Sequence, residues 1–174
     1  MSPLALLLAA AGTAGASPAP PPPPACAAAE HRQFDFWLGD WEVRSPRGAL
    51  LGHNRIVAGG GGCWLQEHWR SAQGNDGTSL NAWDAPDGRW RQFWVGGDGM
   101  VLRLEGGLRD GVMEMQGVLA GEHGPQRQRI TWTPAADGSI TQRWDVSDDD
   151  GASWRAVFVG IYRRAAREDA PAAG

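Results

Sequence analysis

Apolar and polar residues alternate along most of the chain after residue 40, in short runs rich in Trp, Val, Ile, Thr and Leu. Successive side chains of a β-strand point to opposite faces, so a period of two predicts half-buried strands. No amphipathic helix of useful length interrupts the runs. The pattern predicts ten strands, at residues 40–45, 49–58, 63–71, 78–85, 89–95, 100–106, 111–119, 126–133, 139–146 and 153–163.

Asp-Gly pairs separate many of these runs. Such pairs supply the positive φ angles of tight hairpin turns, which indicates an antiparallel meander. A meander of ten strands curls and closes, because closure removes its exposed edges. We therefore predict an all-β fold, an antiparallel up-and-down barrel of about ten strands. The pairs lie at residues 76–77, 87–88, 98–99, 110–111, 137–138 and 150–151.

A different pattern precedes the first strand, where residues 34–41 read F-D-F-W-L-G-D-W. Phe34, Trp37 and Leu38 fall on one face of a short helical turn. A glycine then ends the turn before the alternating run begins. We expect this turn to close one end of the barrel. The residues assigned structural roles in the closure are Phe34, Trp37, Gly39 and Trp41.

The G-D-W triplet at 39–41 resembles the G-x-W signature of lipocalins, in which a short helix closes the barrel floor. The longer stretch is similar to a family of secreted bacterial proteins of unassigned function with a lipocalin-like (calycin) fold. The phrases C-W-L-Q-E-H-W, S-L-N-A-W-D, W-R-Q-F-W, I-T-W-T and F-V-G-I-Y-R-R extend the resemblance over most of residues 34–164. It implies that a terminal arginine, Arg163 or Arg164, lies over Trp41 in a cation–π contact. Arg163 is taken for this role.

The two flanks differ in composition from the barrel. Residues 1–16 combine a short apolar run with an Ala-Gly-Ala triplet, which predicts a signal peptide, although no Lys or Arg precedes the run. Residues 17–29 form a Pro/Ala-rich linker, and residues 165–174 a disordered tail. We expect a secreted or periplasmic protein, with the barrel at residues 30–164 and no stable membrane insertion after signal removal.

The chain has two cysteines, Cys26 and Cys63. In an exported protein such a pair predicts a disulfide, worth roughly 3 to 4 kcal/mol by loop entropy. The alternative is two free thiols. No C-x-x-C spacing is present, so we predict no metal site.

Composition bears on several other function classes. A net charge of −4 with scattered arginines argues against a nucleic-acid partner. No nucleophile motif or phosphate-binding glycine loop is evident. Haem-binding barrels such as nitrobindin need a late histidine ligand, and none follows His123. We expect no cofactor and disfavour an enzyme, while the oligomeric state is not readable.

The ten tryptophans repeatedly share a strand face with an amide or a carboxylate. The opposite face of the same strands is polar and predicted to face solvent, with Gln66, His68, Arg70, Arg89, Arg91, Arg129, Arg143 and Asp145. The Trp face is therefore predicted to point inward. The candidate ligand-binding residues on it are Glu67, Trp69, Asn81, Trp83, Trp90, Gln92, Trp94, Trp132, Gln142 and Trp144.

Two interpretations of this inward face remain open. The amides accept indole N–H bonds and the barrel fills itself, as a structural or interaction domain. Alternatively, the lumen is partly empty and binds a small, partly aromatic or polar ligand. A weaker alternative is a hydrolase or isomerase that uses Glu67 with a raised pKa. Pairing of Glu67 with Arg103, or with an indole, is favoured over that role.

Two further features lie near the end of the chain. Residues 147–154 fit S-x-D-x-G-x-x-W, the Asp-box hairpin of sialidases and other β proteins. We favour a structural role, in which Asp149 caps the turn amides and Trp154 packs under it, over a glycosidase or calcium loop. The last strand is apolar on both faces, so we expect the turn of Phe34 and Trp37 to cover it.

Overall fold

The computed structural model describes residues 25–122 and 124–165 of the 174-residue chain. Two 3₁₀ helices, Ala29–Arg32 and Asp35–Trp37, precede ten strands. The ten predicted strands are confirmed, with small changes at their ends. They are β1 Gly39–Arg44, β2 Leu50–Gly59, β3 Trp64–Ser71, β4 Asp76–Asp84, β5 Arg89–Gly96, β6 Val101–Arg109, β7 Val112–Gly121, β8 Gly124–Pro134, β9 Ile140–Ser147 and β10 Arg155–Arg164.

The strands form one closed antiparallel barrel in which each strand pairs with its neighbours in sequence. β1 and β10 complete the ring, with Trp41 opposite Arg164 and Val43 opposite Tyr162. Each of the ten described strands therefore has a partner on both sides. The predicted fold class is therefore confirmed.

Most of the Asp-Gly pairs make the predicted hairpin turns. Asp110 and Gly111 both have positive φ, as the two-residue turn between β6 and β7 requires. Asp150 and Gly151 also have positive φ, within the longer loop between β9 and β10. The prediction is wrong at residues 76–77, which begin β4. The preceding turn contains Gly74, with a φ of +89°.

The predicted helical turn consists of the two 3₁₀ helices. We call residues 29–38 the plug, and Phe34 and Trp37 in it are fully buried. The plug packs against the barrel interior at one end, since Phe34 contacts Trp90 and Trp132. The expectation that it covers both sides of the last strand is wrong, because Val157 on the outer side is 44% exposed.

The predicted signal peptide and most of the linker and tail, at residues 1–24 and 166–174, lie outside the described residues. Within the described ranges, no helix has the length and apolar character needed to cross a membrane. The linker end is tied to the barrel by the confirmed disulfide between Cys26 and Cys63, whose Cα atoms are 5.1 Å apart.

Candidate functional site

The Trp face points into the barrel, but its tryptophans divide between two ends. At the plug end, Phe34 stacks on Trp37, with ring centroids 4.8 Å apart. Trp90 and Trp132 pack edge-on to Phe34 at 5.7 and 5.2 Å. Trp83 is half-buried and packs against the same core. Trp90 and Trp132 are fully buried, so this aromatic cluster fills the plug end.

The other half of the lumen contains a cavity of about 120 Å³. We call it the lumen cavity. Six of the predicted residues line it: Glu67, Trp69, Gln92, Trp94, Gln142 and Trp144. Four further residues complete the wall: Leu102, Ile130, Phe158 and Tyr162. Of the predicted set, the structure therefore leaves Asn81, Trp83, Trp90 and Trp132 outside the lining.

Aromatic rings form much of the cavity wall. Trp69 and Phe158 meet at 89°, with ring centroids 6.2 Å apart. Trp94 lies close against Gly77, where an added Cβ would come within 2.1 Å of the indole. Gly52 makes the same kind of room for Trp69, at 2.8 Å. Glycine on a neighbouring strand thus lets each indole lie against the backbone.

A chain of hydrogen bonds crosses the polar side of the lumen. Gln92 Nε2 donates to Asn81 Oδ1 at 2.7 Å, and Asn81 Nδ2 donates to Ser79 Oγ at 2.9 Å. Ser79 Oγ donates to Glu67 Oε2 at 2.7 Å. Asn54 Nδ2 donates to the other carboxyl oxygen, Oε1, at 2.6 Å. Glu67 is therefore held from strands on both sides of β3.

The same chain continues to the last strands of the barrel. Asn54 Nδ2 also donates to the Tyr162 hydroxyl at 3.2 Å, and that hydroxyl donates to Gln142 Oε1. Asn54 Oδ1 is buried without a partner among the described residues. Every predicted lumen amide thus belongs to one network, centred on Glu67.

Burial dominates the electrostatics of this network. Glu67 is 4% exposed. Loss of hydration raises the pKa of Glu67 to about 7, and the hydrogen bonds from Ser79 and Asn54 oppose the rise. Burial also raises the pKa of Tyr162 well above its usual value of 10, with Glu67 nearby adding to the rise. Glu67 is thus the lining group that titrates near neutral pH.

The expected partners of Glu67 are wrong. Arg103 lies over the Phe93 ring at 5.1 Å, on the outer face of the barrel. No indole of the described residues donates to Glu67 either; Trp144 Nε1 donates to Gln128 Oε1 at 2.8 Å, and Trp90 Nε1 to Gln33 Oε1 at 3.2 Å. Indoles therefore do donate hydrogen bonds to side-chain amides, but the accepting residues, Gln128 and Gln33, were not predicted.

Four polar residues on the inward face were not predicted from the sequence. Asn54, Ser79 and Gln128 are each buried, and Tyr162 lines the lumen cavity. Each lies on the inward face of its strand, so the period of two contained the signal. None of the four has a tryptophan two residues away, and tryptophan marked most of the predicted inward positions.

One predicted solvent-facing residue is buried. Asp145 is 2% exposed, because Arg143 and Arg129 cover it at 2.9 and 3.4 Å. Its hydrogen bond with Arg143 lowers the pKa of Asp145. Arg129 in turn lies 4.1 Å over the Trp154 ring. Asp145 therefore belongs to an ion-pair cluster on the outer barrel wall.

The Asp-box turn has the structural role expected of it. Asp149 accepts hydrogen bonds from the Ser153 amide at 2.8 Å and from the Ser147 and Ser153 hydroxyls. These bonds lower the pKa of Asp149 to about 2. Among the described residues, no group of three His, Cys, Asp or Glu side chains is arranged to hold a metal ion.

The terminal arginine contact exists, but Arg164 makes it. Its guanidinium lies 3.9 Å over the Trp41 ring and donates to the Leu38 carbonyl. Arg163, which was taken for this role, is 63% exposed and pairs with Asp137 at 3.6 Å. Arg164 is thus the residue that joins the last strand to the plug.

No family model matches the chain, and a search of curated proteins finds no significant match. The closed ten-stranded barrel is consistent with a lipocalin-like fold. A barrel with a buried aromatic cluster is also compatible with ligand binding.

Proposed function

We propose that the protein binds a small, partly aromatic or polar molecule in the lumen cavity. The observation that carries the proposal is a cavity of about 120 Å³ lined by aromatic rings, with Glu67, Gln92 and Gln142 in its wall. Binding sites for small molecules combine apolar walls with a few placed polar groups in this way.

The volume limits the size of the ligand. A cavity of roughly 150 Å³ accommodates benzene, so the part of the ligand inside the smaller lumen cavity is no larger than one ring or a head group of similar size. Trp69, Trp94, Trp144 and Phe158 are only half-buried. A longer ligand would therefore extend past these rings, out of the end opposite the plug.

The cavity wall also offers directional contacts. Among the described residues, the side-chain amide nitrogen of Gln142 and the side-chain carbonyl oxygen of Gln92 make no further hydrogen bond. They present a donor and an acceptor to a ligand. A polar or aromatic molecule satisfies these groups, whereas a fatty acyl chain leaves them unpaired.

We also propose that the protein acts outside the cytoplasm. The disulfide between Cys26 and Cys63 supports this location, since reducing compartments keep most thiols free. The resemblance to a secreted family and the predicted signal peptide point the same way and belong to the same proposal.

The test joins native mass spectrometry with a ligand screen. We expect the protein purified from the host's periplasm or medium to carry a mass that is lost on denaturation. We also expect members of a small-molecule library to change Trp fluorescence and raise the melting temperature. Trp94→Ala should abolish the binding, whereas Trp64→Ala, at an exposed indole outside the cavity, should preserve it. An apo mass together with a silent screen would leave a self-filled structural barrel.

A catalytic role for Glu67 is the second candidate. A carboxyl group with a pKa of about 7 that lines a cavity suits general acid–base chemistry near neutral pH. A hydrolase or isomerase activity detected in the wild-type protein should disappear in Glu67→Gln. Unchanged turnover in that variant would eliminate this candidate.

A further inference from the structure

Among the residues that the structure describes, the lining of the lumen cavity combines aromatic rings with one carboxyl group and contains no Lys, Arg or His. From this combination we propose that the ligand is a small organic cation, specifically a methylated ammonium group. The inference rests on the proposed function and names its ligand class.

The aromatic walls have the geometry of a cage. Trp69 and Phe158 stand at 89° to each other, and the indoles of Trp94 and Trp144 line the same volume. Aromatic ring faces attract a cation, and the attraction strengthens when water is excluded. A methylated ammonium also buries apolar methyl groups against these rings, so both parts of the head group find complementary surface.

The charges around the cavity favour a cation over an anion. Glu67 is the acidic group in the wall, and Tyr162, the other titratable lining group, stays neutral because burial raises its pKa. Neighbouring basic residues of β2 and β3 are on the outer face of the barrel: His53, Arg55, His68 and Arg70. A buried carboxylate without a counter-charge is costly, and a bound cation would supply that charge.

The apolar part of the cavity wall decides which type of ammonium fits. A primary ammonium brings three N–H donors that each need an acceptor. The rings of Trp69, Trp94 and Phe158 offer only their faces, and these match the methyl groups of a quaternary or tertiary ammonium. Such a head group brings no N–H donor or one, and its charge complements that of ionised Glu67. The aromatic walls therefore favour the methylated group.

The experiment compares choline with 3,3-dimethylbutan-1-ol, a neutral alcohol of the same shape in which carbon replaces the charged nitrogen. Binding to the full, disulfide-bonded protein is measured at pH 8 by calorimetry and Trp fluorescence. We expect choline to bind at least about tenfold more tightly than the alcohol. Trp64→Phe, at an indole outside the cavity, should leave both affinities unchanged.

Glu67→Gln should weaken choline binding at least about tenfold, whereas the affinity for the alcohol should not change. If this variant does not fold, pH provides a second measurement on the wild-type protein. Lowering the pH from 8 to 5 protonates Glu67 and should weaken choline binding at least about tenfold, with no effect on the alcohol.

The outcomes separate this inference from the proposed function. Equal affinities for choline and the alcohol would overturn the cation assignment and still support a ligand-binding lumen. Binding of neither compound would also overturn it, and hits for other neutral molecules in the library would then uphold the proposed function alone. An unchanged choline affinity in Glu67→Gln would overturn the assignment of Glu67 as the counter-charge of the bound cation.

Discussion

Replacing Glu67 by glutamine should change how the stability of the barrel depends on pH. Glutamine has nearly the same shape and keeps an oxygen for the Asn54 amide and a hydrogen-bonding group for the Ser79 hydroxyl. The substitution removes only the ability of this side chain to ionise. The comparison therefore isolates the free energy of burying a charged carboxylate in the lumen.

The magnitude follows from the pKa of Glu67. Its folded value of about 7 lies above the ordinary value of 4.5, so the native state retains a proton that the unfolded chain releases. The wild-type free energy of unfolding should fall as pH rises from 4.5 to 7, by about 3 kcal/mol from this group. Below pH 4.5 the carboxyl is neutral in both states, and the variant and wild type should agree within about 1 kcal/mol.

Urea unfolding of both proteins between pH 4 and pH 8, with the disulfide intact, gives the difference directly. All other titrating groups are common to both chains, so their contributions cancel in the difference. We expect Glu67→Gln to become more stable than wild type as pH rises, with the change complete just above pH 7. A difference that stays constant with pH would refute the reasoning, and so would a wild type that gains stability relative to the variant at high pH.

Further predictions concern packing and the disulfide. Gly77→Ala places a Cβ within 2.1 Å of the Trp94 indole. It should lower the free energy of unfolding in urea by about 1 to 3 kcal/mol and shift the Trp emission. The control Gly107→Ala has open space around its Cβ and should change the free energy of unfolding by less than about 0.5 kcal/mol. Arg164→Ala should cost about 1 to 2 kcal/mol because it removes a cation–π contact, and an equal loss in Arg163→Ala would contradict the assignment. Reducing the disulfide, which closes a separation of 37 residues, should lower stability by up to about 4 kcal/mol in melts with and without reductant.

Strand positions and closure were predictable because both depend on local signals. Alternation identifies which side chains face inward, and Asp-Gly pairs mark the hairpins. Position along the barrel axis is not local. Trp90 and Trp94 share one face of β5 and lie about 13 Å apart along the strand. Trp90 packs on Phe34, whereas Trp94 lines the lumen cavity. The depth to which the plug enters the barrel therefore determines which tryptophans line the lumen cavity.

The environment of Glu67 was unpredictable for a related reason. Its partners come from adjacent strands, through the pairing of Glu67 with Ile56 on β2 and with Ser79 on β4. Strand register depends on how the whole sheet assembles, and no local motif reports it. Arg103 was expected to pair with Glu67 only because its charge is opposite, but it lies on the outer face of the barrel.

The burial of Asp145 could not be predicted from the sequence for a different reason. Alternation placed it correctly on the outer face, but an outer position does not guarantee contact with water. The long side chains of Arg129 and Arg143 lie across it and exclude solvent.

Because β1 pairs with β10, the first and last strands of the barrel meet at the plug end. The barrel begins at Gly39 and ends at Arg164, both beside the plug, and the Ala165 amide donates to the Asp40 carbonyl at 3.0 Å. The lumen cavity lies toward the opposite end. The first and last residues of the barrel therefore both lie at the plug end, away from the end that holds the lumen cavity.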